Sequence, residues 1–227
     1  MFQTNKMKVF VSRPLSDDSI FLMKMQQAKI DVSAQSLIKF SALPFEVPTQ
    51  TDWLFFYSKK GVKYFFEKVS LSSERPKIAC IGQGTANYLQ EKTGLNSDFV
   101  GNGAPKESAQ AFLEVAKQQR VTFVRAMNSK KSVQQFLEHK IISIDCIVYQ
   151  NHPIDEQYLF SGEILVFTSP LNVKTYFNLN RLGPTQKVVA IGQSTAAALT
   201  ECGIIQIHIA PEPTELALAE TVLKLIV

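Results

Sequence analysis

The chain has 227 residues, of which 45% are hydrophobic and 19% charged, with a formal net charge of +4. This is the composition of an ordinary globular protein, long enough to form one large core or two small ones. No membrane-spanning helix is expected, because no run reaches about 18 uncharged apolar residues. The lysines are too scattered along the sequence to indicate nucleic-acid binding.

Three cysteines and three histidines are present, and their positions share no metal-ligand or CxxC spacing. We therefore predict reduced, structural thiols and no metal site. The N-terminal sequence MFQTNKMKVFVSRP has no apolar signal-peptide segment, so a cytoplasmic protein is expected.

Strand and helix patterns alternate along the chain. Continuous apolar runs such as Trp53–Tyr57 are typical of strands covered on both faces, as in parallel sheets. In the first half, strands are predicted at 9–11, 30–38, 53–57 and 78–81, with helical patterns after the first, third and fourth. In the second half, strands are predicted at 121–124, 141–149, 164–168 and 188–191, with helices around 133–138, after 169 and at 194–200. This order predicts an α/β fold whose strand-to-helix loops lie at the carboxyl edges of parallel sheets.

Two long motifs occur twice, in the same order and at almost the same spacing. WLFFYSKKGVKYFF (53–66) returns as ILVFTSPLNVKTYF (164–177), and KIACIGQGTANYL (77–89) returns as KVVAIGQSTAAAL (187–199). The repetition indicates an internal duplication. Each half is therefore expected to carry an equivalent pair of loops at the ligand-binding edge of its sheet.

Each GQ(G/S)T motif predicts a glycine turn between a buried strand and a helix. Such a turn directs free backbone amides and the positive end of the helix dipole at the loop, where a phosphate or carboxylate binds readily. The alternative is that the nearby hydroxyls are helix N-caps. Because the turn occurs twice beside a serine-containing loop, the ligand-binding interpretation is favoured. The candidate binding residues in these loops are Ser58, Gly82, Gln83, Gly84, Thr85, Ser169, Gly192, Gln193, Ser194 and Thr195.

Neither glycine turn matches the dinucleotide-binding fingerprint or the Walker pattern. Two arginines, Arg13 and Arg125, each follow a predicted strand at equivalent places in the two halves. Each could clamp a carboxylate with two hydrogen bonds or simply cover the sheet edge, and both interpretations stay open. Tyr149 ends an apolar run, where its ring could be interfacial packing or its hydroxyl a weak acid in a cleft.

The segments that carry a family resemblance are VSRP (11–14), DWLFFYSKKGV (52–62), IACIGQGTANYL (78–89), VTFVRA (121–126), VYQN (148–151), ILVFTSPLNVKTYF (164–177), VVAIGQSTAAALTECGI (188–204) and APEPTELALAETV (210–222). In this order they resemble the uroporphyrinogen-III synthase family, over nearly the whole chain from Lys8. The resemblance implies an α/β fold of two lobes, each a parallel sheet flanked by helices, with a two-stranded β-ladder joining them and a ligand cleft between them. The implied bounds are 1–35 plus 152–227 for lobe one, 41–145 for lobe two, and 35–40 and 146–150 for the linker strands.

The implied reaction is the cyclisation of hydroxymethylbilane to uroporphyrinogen III, with loss of water and inversion of the last pyrrole ring. The resemblance places the family's catalytic tyrosine at Tyr149 and the substrate-binding loops at the candidate residues above. The first-half loop departs from the family pattern TSxNxV, because Tyr57-Ser58-Lys59-Lys60-Gly61-Val62 stands there. The expected partner is a linear tetrapyrrole polycarboxylate, bound by a monomer without a cofactor. The competing hypothesis is a non-catalytic two-lobed binding or regulatory protein for an anionic small molecule.

Overall fold

The structure is a computed structural model that describes residues 7–72, 74–154 and 162–226. The chain divides into two compact units, one of Met1–Lys39 with His152–Val227 and the other of Phe40–Asn151. Within the lobe bounds implied by the resemblance, residues 1–6, 73, 155–161 and 227 lie outside the described residues. No helix within the described ranges is long and apolar enough to cross a membrane.

In chain order, the described secondary structure elements are β1 (Lys8–Val11), α1 (Ile20–Gln27), β2 (Asp31–Ala34), β3 (Ile38–Ala42), β4 (Trp53–Phe56), α2 (Lys59–Phe66), β5 (Lys77–Cys80), α3 (Gln83–Thr93), β6 (Phe99–Val100), α4 (Pro105–Ala116), β7 (Arg120–Ala126), a 3-10 helix (Gln134–Phe136), β8 (Ile142–Pro153), β9 (Ile164–Phe167), α5 (Pro170–Leu179), β10 (Lys187–Ala190), α6 (Gln193–Glu201), β11 (His208–Ile209) and α7 (Glu215–Leu223).

The first unit is built on a five-stranded sheet in the order β11-β10-β9-β1-β2. Every pair of neighbouring strands in it is parallel. Helices α5 and α6 pack on one face, around Phe10, Leu165 and Tyr176. Helices α1 and α7 pack on the other face, around Val166 and Phe21. The sheet is therefore covered on both sides, which explains why its three central strands, β10, β9 and β1, are mostly buried and apolar.

The second unit is built on a six-stranded sheet in the order β3-β8-β7-β4-β5-β6. The strands from β8 to β6 are parallel to one another. Strand β3 runs opposite to β8, since the Leu43 amide donates to the Val148 carbonyl and the Ile154 amide donates to the Leu37 carbonyl. The chain passes from one unit to the other within β3 and β8. The predicted α/β class with two parallel sheets flanked by helices is confirmed.

Strand β4 lies in the middle of the second sheet and is buried along its whole length. Its side chains alternate between two cores, because successive residues of a strand point to opposite faces. Leu54 and Phe56 belong to the core under α2 and α3. Trp53 and Phe55 belong to the core under α4. The four-residue apolar run WLFF thus joins both layers of the unit.

Two predicted elements differ from the structure. The strand expected at 30–38 is two strands, β2 and β3, because the Ser36 hydroxyl bonds to both the amide and the carbonyl of Ile38 and turns the chain locally. The helix expected around 133–138 is only a 3-10 turn. The amides of Phe136 and Leu137 donate to the carbonyls three residues back, and the first amide, of Gln134, donates to the Tyr57 hydroxyl. Helix α4 is not among the predicted helices, although its buried Ala109, Phe112 and Ala116 share one face.

We expect Phe55→Ala to lower the free energy of unfolding of the second unit by roughly 3–5 kcal/mol, because it removes a fully buried ring from the core. Urea unfolding followed by fluorescence measures this directly, since the single tryptophan, Trp53, lies in the same core. The matched control is Phe136→Ala, where the side chain is 39% exposed and the loss should stay within about 0.5 kcal/mol. Equal losses at both positions would contradict the assignment of Phe55 to the core.

Candidate functional site

Helix α2 begins two residues after the buried strand β4, at the carboxyl edge of the second sheet. Its N-cap is Ser58, whose Oγ accepts a hydrogen bond from the Gly61 amide at 3.1 Å. This capping bond satisfies one of the first-turn amides of the helix. Because β4 is fixed on both faces, the position of the Ser58 hydroxyl is fixed with it.

Tyr149 reaches this edge from strand β8, ninety-one residues further along the chain. The register of β8 with β7 shifts just before Tyr149, which leaves Val148 as an additional residue and pairs Tyr149 with Ala126. In a regular strand Val148 and Tyr149 would point to opposite faces. Here both belong to the core under α2 and α3, together with Cys146. The β-bulge therefore turns Tyr149 toward α2, which is a known effect of such bulges.

The hydroxyl groups of Tyr149 and Ser58 are 3.1 Å apart and form a hydrogen bond in which either can be the donor. A serine hydroxyl has one proton to donate and two lone pairs. Since the Ser58 oxygen already accepts from the Gly61 amide, its own proton is available for the Tyr149 oxygen. In that arrangement the phenol proton of Tyr149 is free to be donated to a ligand.

Burial raises the pKa of Tyr149, and the hydrogen bond from Ser58 lowers it in part. The phenol is therefore protonated at neutral pH, as a proton donor must be. Its ring stacks on Tyr64 at 5.2 Å between centroids and meets Phe40 at 6.1 Å. Only 7% of Tyr149 is exposed, so the packing fixes its ring while the hydroxyl lies at the helix start.

The first glycine turn is at the beginning of helix α3. Gly82 is the N-cap and has no side chain to cap the helix, and its carbonyl accepts from the amides of Thr85 and Ala86. The amides of Gln83 and Gly84 thus lie at the open end of the helix, where anions are stabilised. A Cβ at Gly82 would come within 3.3 Å of backbone atoms of Gly103, so the close approach of the two loops favours glycine there.

The exposed members of this turn are Gln83 and Gly84, whereas Thr85 is buried. Gln83 donates from Nε2 to Asn87 on the same helix at 2.7 Å. The Gly84 position lies beside the side chain of Lys59, whose Cε would be 3.9 Å from an added Cβ. The structure thereby brings together Tyr149, the Ser58 loop and the GQGT turn within the second unit.

The first unit contains the duplicated loops on its own sheet. Ser169 is the N-cap of α5 and accepts from the amide of Asn172, whose Nδ2 also donates to Ser169 Oγ at 2.8 Å. Asn172 Oδ1 accepts from the Leu37 amide at 2.8 Å. At the equivalent place in the second unit stands Gly61, where an added Cβ would be 3.2 Å from the Val124 carbonyl oxygen. The serine of the first unit is thus bonded to an asparagine, and that of the second unit to Tyr149.

The second glycine turn begins helix α6. Gly192 is the N-cap and provides no side-chain cap, as at Gly82. Gln193 and Ser194 are exposed, whereas Thr195 is 1% exposed. The duplication is therefore real in three dimensions: in each unit a serine caps one helix, and an uncapped glycine begins the next.

Arg125, near the end of β7, is buried and bonded to Asp145 of β8, which is partly exposed. Its Nε and Nη2 donate to the two carboxylate oxygens of Asp145 at 2.8 and 2.6 Å, and its Nη1 donates to the carbonyls of Ala126 and Met127. This hydrogen bonding to Asp145 raises the pKa of Arg125 and holds the pKa of Asp145 well below its usual range. Every guanidinium nitrogen of Arg125 therefore already has an acceptor in the chain.

The same carboxylate binds the segment that follows β7. Asp145 also accepts from Lys131 Nζ at 2.7 Å and from Gln134 Nε2 at 2.9 Å. The Gln134 amide in turn donates to the Tyr57 hydroxyl at 3.1 Å. Burial raises the pKa of Tyr57 to about 12, so this phenol also stays protonated. The network fixes the 3-10 turn against the sheet.

Arg13 follows β1 in the first unit and forms an ion pair with Glu215, the first residue of α7. Glu215 also accepts from the Ser19 hydroxyl at 2.7 Å, which ties the starts of α1 and α7 together. Arg13 is partly exposed, and its buried Nε has no hydrogen-bond partner among the described residues. The two arginines at equivalent sequence positions thus have different surroundings. Every guanidinium nitrogen of Arg125 has a hydrogen-bond acceptor, whereas Arg13 Nε has none among the described residues.

Three functional contacts were not anticipated from the sequence. Asn172, Asp145 and Ser12 are polar residues whose partners are distant in sequence. Ser12 is fully buried, and its Oγ accepts from the Thr168 amide at 2.9 Å. A signal for Asn172 was available, because it stands where the duplicated motif has glycine. The positions of Asp145 and Ser12 carry no such signal, since the bonds depend on which strands are neighbours.

Comparisons with known proteins identify the family of the chain. The family model described as uroporphyrinogen-III synthase HemD matches residues 24–220. A uroporphyrinogen-III synthetase from Helicobacter pylori has a similar structure, with 22% identity, 97% of this chain and 99% of that chain covered, and a TM-score of 0.71. A mutant uroporphyrinogen III synthase from Thermus thermophilus gives 17% identity, 97% coverage of both chains and a TM-score of 0.57. Comparison with curated protein sequences gave no match.

At 22% and 17% identity the structural similarity establishes the fold, and the match of the family model establishes the protein family. Together they define a lyase of tetrapyrrole biosynthesis. The chain belongs to the uroporphyrinogen-III synthase family.

We expect Asp145→Asn to lower stability at neutral pH and to flatten its dependence on acid. The folded pKa of Asp145 is depressed, so its contribution is complete above the unfolded pKa of about 4 and is lost as the pH falls toward the folded value. Urea unfolding between pH 6 and pH 3 should therefore show a steeper loss in the wild type than in the variant. If the free energy of unfolding falls equally with pH in the wild type and the variant, the Asp145 carboxylate makes no net contribution to stability.

Proposed function

We propose that the chain cyclises the linear tetrapyrrole hydroxymethylbilane to uroporphyrinogen III, with Tyr149 as its catalytic acid. The observation that carries this proposal is the hydrogen bond between Tyr149 and Ser58, next to the uncapped start of α3. A protonated phenol and an open helix N-terminus are what a polycarboxylate with a leaving hydroxyl requires. A monomeric, cytoplasmic enzyme without a cofactor stays our prediction from the sequence.

The reaction begins with loss of the terminal hydroxyl group of the substrate. The lone pair of the adjacent pyrrole nitrogen expels it while the Tyr149 phenol supplies a proton, so that water leaves and an electrophilic azafulvenium cation remains beside the phenolate. Ser58 supports this step by donating to the developing phenolate oxygen while the Gly61 amide holds its own oxygen in place. The proton released when the macrocycle finally closes restores the phenol.

Ring inversion follows from the position of attack. The far pyrrole attacks the exocyclic carbon of the azafulvenium ion through its own substituted α-carbon, which already carries the bridge to the neighbouring ring and becomes a spiro centre. The bond from this centre to the old bridge then breaks, and the released cation closes on the free α-carbon of the turned ring, which loses its proton. Because pyrroles are electron-rich, the protein has mainly to hold the bent chain so that the crowded carbon is nearer than the free one. The amides at the start of α3 and the exposed Gln83 are suited to hold carboxylates of the substrate.

The decisive experiment is to incubate the purified protein with hydroxymethylbilane and resolve the products. Uroporphyrinogen III is the expected product. Formation of isomer I alone, which arises without an enzyme, would overturn the proposal in favour of a non-catalytic protein.

We expect Tyr149→Phe to lower kcat about 100-fold, the low end of what general acid catalysis typically contributes. The ring and its packing are retained, so the free energy of unfolding should change little. Tyr57→Phe is the matched control, because that phenol bonds only the Gln134 segment in the described contacts. It should lower stability and leave kcat within about twofold. The assignment fails if both variants turn over like the wild type.

Loss of the Ser58 hydroxyl should also slow the reaction. We expect Ser58→Ala to lower kcat about fivefold, the effect of one neutral hydrogen bond, and to destabilise the chain by about 1 kcal/mol through the lost N-cap. Thr214→Ala is the control: it removes the N-cap of α7, where Oγ1 accepts from the Ala217 amide at 3.2 Å. That variant should show the same destabilisation with an unchanged kcat. A fall in kcat with both would trace the effect to stability alone.

A further inference from the structure

A cavity of about 430 Å³ opens on the second unit beside the catalytic candidate. The described residues that line it are Phe40, Lys59, Lys60, Lys63, Tyr64 and Tyr88. We call it the basic-aromatic pocket. Its described lining consists of three lysines and three aromatic rings and includes no Asp or Glu, which makes it positively charged over an apolar floor.

Two of the lysines are placed by contacts of their own. The Lys60 ammonium lies 4.2 Å above the centre of the Phe40 ring, a cation–π arrangement that holds the charge at the pocket wall. The Lys59 side chain runs beside Gly84, so it connects the pocket to the open start of α3. Lys63 lies one turn further along α2 and pairs with Glu67 at 3.8 Å, both side chains being about half exposed. Exposed pairs of this kind are weak, so the pocket keeps most of its positive charge.

The aromatic floor of the pocket is also the support of the proposed acid. The rings of Tyr64 and Phe40 are the two that pack against the Tyr149 ring, at 5.2 and 6.1 Å. Whatever occupies the pocket is therefore separated from Tyr149 by a single layer of side chains.

The duplication shows that this charge is not part of the shared scaffold. In the first unit, Pro170 and Leu171 stand where the second unit has Lys59 and Lys60. Lys174, the counterpart of Lys63, pairs with Glu201 at 2.9 Å. Helix α5 forms normally without the two lysines, so the fold of the loop does not require them.

We infer that the basic-aromatic pocket binds one pyrrole ring of the substrate, with Lys59 and Lys60 pairing its two carboxylates and the aromatic side chains contacting its ring. This inference rests on the proposed function and specifies where the substrate is held. The substrate has eight carboxylates on four rings, so each ring presents two anions and one flat, electron-rich face. Ammonium groups bind carboxylates, and the aromatic side chains offer the apolar contact that a pyrrole needs.

The test compares substrate affinity in paired variants of the full chain. For Lys59→Gln with Lys60→Gln, KM for hydroxymethylbilane should rise about tenfold while kcat stays within about twofold, since binding is weakened and the acid is untouched. Lys59→Arg with Lys60→Arg should restore KM to within about threefold. Raising the salt concentration should increase KM of the wild type more than that of the glutamine pair.

The control has the same change of net charge away from the pocket. Lys117 and Lys140 are exposed near the starts of β7 and β8, at the opposite edge of the sheet. For Lys117→Gln with Lys140→Gln, KM should stay within about twofold. An unchanged KM in the pocket variant, or an equal rise in the control, overturns the inference and makes the lysines a solvated turn. If the paired variant does not fold, Lys59→Gln alone keeps the Lys60–Phe40 contact and should still raise KM about threefold.

A direct binding measurement separates this inference from the proposed function. Uroporphyrin III, the stable oxidised form of the cyclic product, is titrated into wild type and variants by calorimetry. A Kd about tenfold weaker in the glutamine pair supports the pocket even if the wild type forms isomer I only, in which case the proposed function alone fails. A wild type that forms isomer III with neither KM nor Kd altered in the variant overturns the pocket and leaves the proposed function in place.

Discussion

Burial of β4 on both faces is the constraint on which the candidate site depends. The strand has α2 and α3 on one side and α4 on the other, so its four apolar residues cannot shift in register without exposing one core. Ser58 lies two residues after the end of β4, so the fixed strand also fixes the position of the Ser58 hydroxyl. Functional groups are commonly placed in the short loop between a buried strand and a helix, because the rigid sheet fixes the position of that loop.

The second requirement is that Tyr149 points to the same face. This depends on the β-bulge in β8, without which Val148 and Tyr149 would lie on opposite faces. In the duplicated loop of the first unit, the equivalent serine, Ser169, has a different hydrogen-bond partner. There Ser169 bonds to Asn172, which in turn holds the Leu37 backbone. In the second unit Gly61 stands at the equivalent position, so the Ser58 hydroxyl is available to the phenol of Tyr149.

The positive charges divide into two groups with different tasks. The guanidinium of Arg125 donates hydrogen bonds to Asp145 and to backbone carbonyls, and Arg13 is paired with Glu215. Lys59 and Lys60 lie instead on the wall of a cavity that has no acidic residue in its described lining. We therefore propose that ammonium groups and helix amides of the second unit bind the anionic substrate, whereas the partners of the two arginines lie within the chain. Arg13 and Arg125 occupy equivalent positions in the two halves of the sequence, which does not show how they differ. Their surroundings depend on the carboxylates of other elements, Glu215 and Asp145.

The sequence by itself determined the α/β class, the order of most strands and the two glycine turns, because apolar runs and glycine positions are local properties of the chain. It also identified Ser58 and Tyr149 through the repeated motif and the family resemblance. It could not show that they touch, since their hydrogen bond joins residues 91 positions apart and requires a bulge that has no local signature. The basic-aromatic pocket is likewise a tertiary feature. Phe40, Lys60 and Tyr88 come from three separate elements, and only the packing of α2 between β3 and α3 makes them one surface.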